Sequence, residues 1–115
     1  MYQFFLQFIQ ILREEYPNSF KETALSFEKL RILLKDDSWI EIFYPLEKKF
    51  SFHYQKGKDL YRIDTAPHHK KCTTYPNHFH FKSESNVIPD TILSISNTPA
   101  ENFRAFLNWI IELNK

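Results

Sequence analysis

Glycine and cysteine each occur once in the 115 residues, and neither sign of charge is in excess. The lone Cys72 excludes an intramolecular disulfide and a metal site built from several thiolates. That is the pattern of a chain made in a reducing compartment, so a cytoplasmic location is expected. Lys and Arg number 15 against 14 Asp and Glu, leaving a net charge of +1. So small a charge draws in neither nucleic acid nor an anionic membrane from a distance, and any contact with RNA has to be local. No run approaches the roughly 18 apolar residues that a membrane span needs. The opening MYQFFLQFIQIL has the apolar character of a signal sequence, but it lacks a basic start, contains Gln3, Gln7 and Gln10, and runs into Arg13, Glu14 and Glu15. It reads instead as an amphipathic helix. No internal repeat or low-complexity tract is apparent.

What the chain does have is apolar bulk: 43% hydrophobic residues, including 12 phenylalanines, enough for one domain over residues 1–115 with an aromatic core. Phe5, Phe8, Ile9 and Leu12 recur at helical spacing, and Pro17 with Asn18 ends that helix. Tyr2 and Phe4 lie off the stripe. The period then changes to two. Leu30, Ile32 and Leu34 share one face, and Ile40, Ile42 and Tyr44 share another, with Asp36, Asp37 and Ser38 as a turn between the two runs. Phe50, Phe52 and Tyr54 alternate with Ser51, His53 and Gln55, and Tyr61 and Ile63 follow after Lys56-Gly57-Lys58, where the single glycine supplies the positive φ of a hairpin turn. Residues 20–27 add an earlier strand and residues 78–81 a later one, while residues 82–97 read as mostly irregular, with short apolar anchors. The last helix is marked by Thr98-Pro99-Ala100-Glu101, a capping box with proline at its first helical position, and by the stripe Phe103, Phe106, Leu107 and Ile110. Trp109 lies partly off it. The predicted fold class is α+β: an antiparallel sheet of about five or six strands with an N-terminal and a C-terminal helix packed on it.

Four of the five histidines fall within IDTAPHHKKCTTYPNHFHF, residues 63–81. Three chemistries fit such a stretch. His78 and His80, one residue apart on a strand, project from one face and can take two positions on a divalent transition metal, with His68, His69 or Asp64 completing the set. Alternatively, two imidazoles with an ordinary pKa near 6.5 can serve as base and acid when RNA is cleaved by its own 2′-hydroxyl, with Arg62, Lys70 or Lys71 stabilising the phosphorane and Tyr54 or Tyr75 bonding a phosphate or stacking on a base. No metal or other cofactor is then required. The third reading is a polar surface loop with no chemistry. Asp64, at a strand end, either braces the turn or orients a histidine. Lys71 beside Cys72 could activate its thiol, but no relay around it is identifiable. His53, on the strand face opposite Phe50, Phe52 and Tyr54, either lines a site or meets solvent.

The succession Tyr61-Arg62-Ile63-Asp64, Thr65-Ala66-Pro67-His68-His69, then Tyr75-Pro76-Asn77-His78-Phe79-His80 resembles the TumE-like toxins of toxin–antitoxin modules. Their pattern is R-x-D-N-A-P-H-H, then a T-F-P-H-H-K-H type segment, and Ser51-Phe52-His53-Tyr54 is similar to the strand that precedes it there. The resemblance runs from about Phe20 onward. Thr65 stands where the pattern has Asn, Asn77 where it has the first clustered His, and Phe79 where it has Lys, while His68, His69, His78 and His80 match. The resemblance implies a toxin neutralised by a cognate antitoxin, with Tyr2, Phe4 and Trp109 as candidate anchors.

By analogy with other small α+β toxins, the expected function is that of a metal-independent ribonuclease. In it, His68 or His69 works with His78 or His80 as base and acid, Asp64 orients a histidine, and Arg62, Tyr54, Lys70, Lys71 and Tyr75 contact RNA. Two rivals stay open: a metal-dependent nuclease or other hydrolase holding its ion with His78, His80 and His68, and a binding module without catalysis. Oligomeric state is not legible.

Overall fold

The computed structural model describes residues 2–115. Helix α1 (Tyr2–Glu15) leads into seven strands and a closing helix α2 (Pro99–Leu113). The strands are β1 (Phe20–Leu25), β2 (Leu30–Leu34), β3 (Trp39–Leu46), β4 (Lys49–Lys56), β5 (Asp59–Asp64), β6 (His78–Lys82) and β7 (Val87–Pro89). They form one antiparallel sheet in which spatial order equals chain order. Short connections, except the long one between β5 and β6, make this meander the natural product of period-two segments separated by turn residues. Gly57 has φ +57° in the two-residue turn from β4 to β5, as its place in the sequence requires.

The register explains the two faces. Ile42, Phe52, Ile63, Phe79 and Ile88 lie opposite one another across β3 to β7, as do Ile40, Tyr54, Tyr61 and Phe81 across β3 to β6. Both rows point to the face covered by the helices, where Phe8 stacks on Phe103 with ring centroids 4.4 Å apart. Asn102 of α2 donates to the buried Tyr44 hydroxyl at 3.1 Å, and Arg104 pairs with Glu15 of α1 at 2.7 Å. Each fully buried phenylalanine contributes about 1.5–3 kcal/mol from apolar area alone, so this one face carries most of the stability. The capping box forms as expected: Thr98 Oγ1 accepts from Glu101 N, and Glu101 accepts from Thr98 N at 2.8 Å.

Four details differ from the sequence reading. The sheet has a seventh strand, β7, too short for periodicity to show and ending in Pro89. On α1 the fully buried set is Phe5, Phe8, Ile11 and Leu12, with Ile9 only partly covered. Phe4 packs edge-on against Tyr44 at 5.4 Å, and Trp109 packs edge-on against Tyr61 and Phe79 at 5.3 and 5.2 Å. Both therefore serve the core, and of the three aromatics held for a partner Tyr2 alone stays largely exposed. Tyr54 is also a core residue, fully buried on the helical face, stacked on Tyr61 and accepting from Asn114.

Candidate functional site

The opposite face of the sheet carries the alternate side chains, largely polar along β4, β5 and β6. Pairing places Arg62 of β5 beside His80 of β6 and Asp64 beside His78. Directly opposed residues hold their Cβ atoms about 4.5–5.5 Å apart, so an R-x-D strand laid antiparallel on an H-x-H strand brings two charged groups against two imidazoles by register alone. On the β4 side the same rows continue into His53 and Ser51. His53 rests on Trp39, with ring centroids 4.9 Å apart, and bonds Gln55 at 2.8 Å. Burial pushes its pKa below the ordinary value, outweighing the bond to Gln55.

The loop from β5 to β6, residues 65–77, folds back over this corner. Ala66 N donates to Asp64 Oδ1 at 3.0 Å, Thr65 Oγ1 accepts from Phe50 N at 3.1 Å, and Thr74 Oγ1 donates to the Asn77 carbonyl at 2.7 Å and accepts from Asp90 N at 2.9 Å. The Tyr75–Pro76 bond in this loop is cis. Under that cover His78 is 1% and His80 5% exposed. The loop also delivers His69, whose ring centroid lies 4.5 Å from His78 and 5.6 Å from His80, while His78 and His80 are 4.9 Å apart.

Hydrogen bonds assign the ring nitrogens. His78 Nδ1 lies 3.2 Å from the Pro76 carbonyl and His80 Nδ1 lies 2.9 Å from the Glu84 carbonyl. A carbonyl only accepts, so both Nδ1 atoms carry the proton. His80 Nε2 makes no hydrogen bond among the described residues, so in the neutral ring its lone pair is free. His78 Nε2 instead faces Asp64 Oδ1 at 3.0 Å, so that ring has acceptors on both sides. Asp64 Oδ2 accepts from Arg62 Nε at 3.1 Å, and Arg62 reaches on to Glu84 at 2.5 and 2.8 Å. The Arg62 bond holds the Glu84 carboxyl below the usual carboxylate range. Burial disfavours the Arg62 cation, but its bonds to Glu84 and Asp64 more than compensate and leave its pKa raised.

These groups line a cleft of about 570 Å³ whose wall also includes Phe43, Lys49, Ser51, Thr65 and His68. A second cleft of about 650 Å³ adjoins it and shares His68 and His69, with Lys70 and Lys71 on its rim. Of the residues named from sequence, Asp64, His69, His78 and His80 come together and Arg62 adjoins them. His68 is exposed at the boundary between the clefts. Tyr75 lines a separate depression with Asp90 and Ser94, away from the histidines, and Tyr54 lies on the other face of the sheet. Neither tyrosine is available to a substrate in the histidine cleft. The donors of Arg62 are already engaged by two carboxylates. Lys49, which forms no ion pair among the described residues, faces the cleft instead. Sequence reasoning missed Lys49, Phe43, Ser51 and Glu84. Alternation with Ile42, Tyr44, Phe50 and Phe52 could have placed Phe43, Lys49 and Ser51 on this face, whereas Glu84 lies in the turn beyond β6 and carries no such signal. For a metal ion the nearest set is His69, His78 and His80, whose ligand atoms all lie within 4.8 Å of one another. His69 thus takes the place expected for His68.

A family model described as Toxin TumE matches residues 1–114, taking in both helices, the whole sheet and the histidine cleft. The chain belongs to the TumE toxin family. Among curated proteins and solved structures none matches it. Membership in the TumE family makes the chain the toxin component of a toxin–antitoxin module and implies an antitoxin partner. Among the described residues no helix is long and apolar enough to cross a membrane. The TumE match begins with the first helix, ahead of the Phe20 start at which the motif resemblance becomes visible.

Proposed function

We propose that this toxin acts in the cytoplasm by cleaving RNA through imidazole acid/base catalysis without a metal ion. The observation that carries this reading is the pairing of His80, with Nδ1 committed to the Glu84 carbonyl and Nε2 free, with His69 in the same cleft. His80 Nε2 removes the proton from a ribose 2′-hydroxyl, and the oxygen attacks the adjacent phosphorus. His69, protonated, gives its proton to the departing 5′-oxygen. The P–O5′ bond breaks, leaving a 2′,3′-cyclic phosphate and a free 5′-hydroxyl. Such transfers contribute about 10²–10⁴-fold each to the rate.

His78 does not transfer a proton in this scheme, because both of its nitrogens are engaged. With Asp64 it forms the fixed wall against which His69 and His80 are set. Lys49 supplies positive charge to the phosphate, Lys70 and Lys71 extend the track into the adjoining cleft, and Phe43 offers a flat apolar surface to a base. RNA is favoured over DNA because the cleft supplies proton carriers while the substrate supplies the nucleophile. Labelled RNA incubated with the wild type and with the His69→Ala and His80→Ala variants tests this. Each variant is expected to lose at least about 100-fold in rate. RNA left intact by the wild type, or cleaved equally by both variants, refutes it.

A further inference from the structure

The geometry points to a divalent transition-metal site formed by His69, His78 and His80, whose occupation withdraws the lone pair that RNA cleavage needs. The inhibitory half of this inference rests on the cleavage reading above; metal binding itself does not. The three ligand atoms lie within 4.8 Å of one another. Zinc holds imidazole nitrogens at about 2.0–2.1 Å, so tetrahedral neighbours sit roughly 3.3–3.4 Å apart. Modest rotation of the half-buried His69, whose side chain makes no hydrogen bond among the described residues, closes that difference.

Two of the rings are already held as ligands are held. A metal-bound imidazole commonly gives its other N–H to a carbonyl or carboxylate, which fixes tautomer and ring plane. His78 does so on Pro76 at 3.2 Å and His80 on Glu84 at 2.9 Å. A cation at His78 Nε2 displaces the proton now shared with Asp64. Asp64 is held in place by Ala66 N and Arg62 Nε, so it is left beside the ion as a fourth ligand or as an acceptor for a bound water. Three neutral nitrogen donors suit Zn²⁺, Ni²⁺ or Cu²⁺ and not Mg²⁺ or Ca²⁺, which take oxygen-rich sets. The ion and the reaction compete for one atom, His80 Nε2.

Tag-free protein stripped with chelator is titrated with ZnCl₂ against a chromophoric zinc competitor, while cleavage of labelled RNA is followed in parallel. One ion per chain is expected, with affinity at least about tenfold weaker in His69→Ala and in His80→Gln. The loop position of His69 makes its variant safe for folding, which circular dichroism checks. Cleavage should fall as zinc binds and return with EDTA, and MgCl₂ should do neither. Absence of stoichiometric binding, or binding unchanged in both variants, overturns the site. A zinc-loaded protein that cleaves faster than the stripped one overturns the inhibitory role and the metal-free reaction together. If RNA stays intact throughout, the cleavage reading alone fails and the zinc stoichiometry still decides the site.

Discussion

Replacing Asp64 by asparagine keeps its shape and removes its charge, and the consequence can be worked from its partners. The Asp64 side chain is 11% exposed and its carboxylate accepts three bonds: Ala66 N and His78 Nε2 on one oxygen, Arg62 Nε on the other. Asparagine offers one acceptor oxygen and an amide that repels the donors of whichever partner it faces. Arg62 keeps Glu84, so its loss is partial. His78, 1% exposed, has no replacement acceptor on that side. Hydrogen bonds to charged groups contribute about 1.5–3 kcal/mol, and breaking one partner of a buried pair costs about 3–5 kcal/mol. With Arg62 partly compensated, a loss of about 2–4 kcal/mol is expected. For a chain of this size that is a fall in Tm on the order of 8–16 °C. Glu84→Gln is the internal comparison. Its side chain is 59% exposed, so solvent screening limits the loss to below about 1 kcal/mol. Urea denaturation of both variants beside the wild type gives the two numbers. An Asp64→Asn loss no larger than that of Glu84→Gln would show that the carboxylate does not brace the histidine face.

Two further outcomes follow from other parts of the sheet. His53 has its pKa lowered from 6.5 by burial, so the unfolded chain takes up its proton more readily than the folded one, and stability present above pH 6.5 is lost as pH falls below it. His53→Gln should therefore flatten the fall in urea midpoint between pH 6.5 and more acid values, and an unchanged slope would remove His53 as its cause. Tyr54→Phe removes the bond from Asn114 on the helical face, costing about 1 kcal/mol by the same denaturation assay. Its RNA cleavage rate should stay at the wild-type level, and a large drop would return Tyr54 to the site.

The elements that positioned this site were legible where burial imposes a period. Phe50, Phe52 and Tyr54 had to face one way, which set Ser51 and His53 the other way, and Thr98 with Glu101 marked a helix start that the structure reproduces. The same alternation already placed Tyr54 on the apolar face, against its candidacy as an RNA contact. The strand β7 escaped because three residues ending in proline hold no period. Which of His68 and His69 joins His78 and His80 was beyond sequence reading, since it depends on loop bonds from Thr65, Thr74 and Ala66 that come from distant strands or local turns. The engagement of Arg62 by Glu84 required knowing that the β6–β7 turn brings Glu84 back over β5.

The claim at the centre is that His69 and His80 cleave RNA without a metal ion, and the chemistry of the cut ends tests it most directly. Labelled RNA digested by chelator-stripped protein in excess EDTA should yield 2′,3′-cyclic phosphate and 5′-hydroxyl termini, and RNA carrying a 2′-deoxy residue at the cut position should resist there. Products with 5′-phosphate ends, or cleavage that appears only when a divalent metal is restored, would contradict the account.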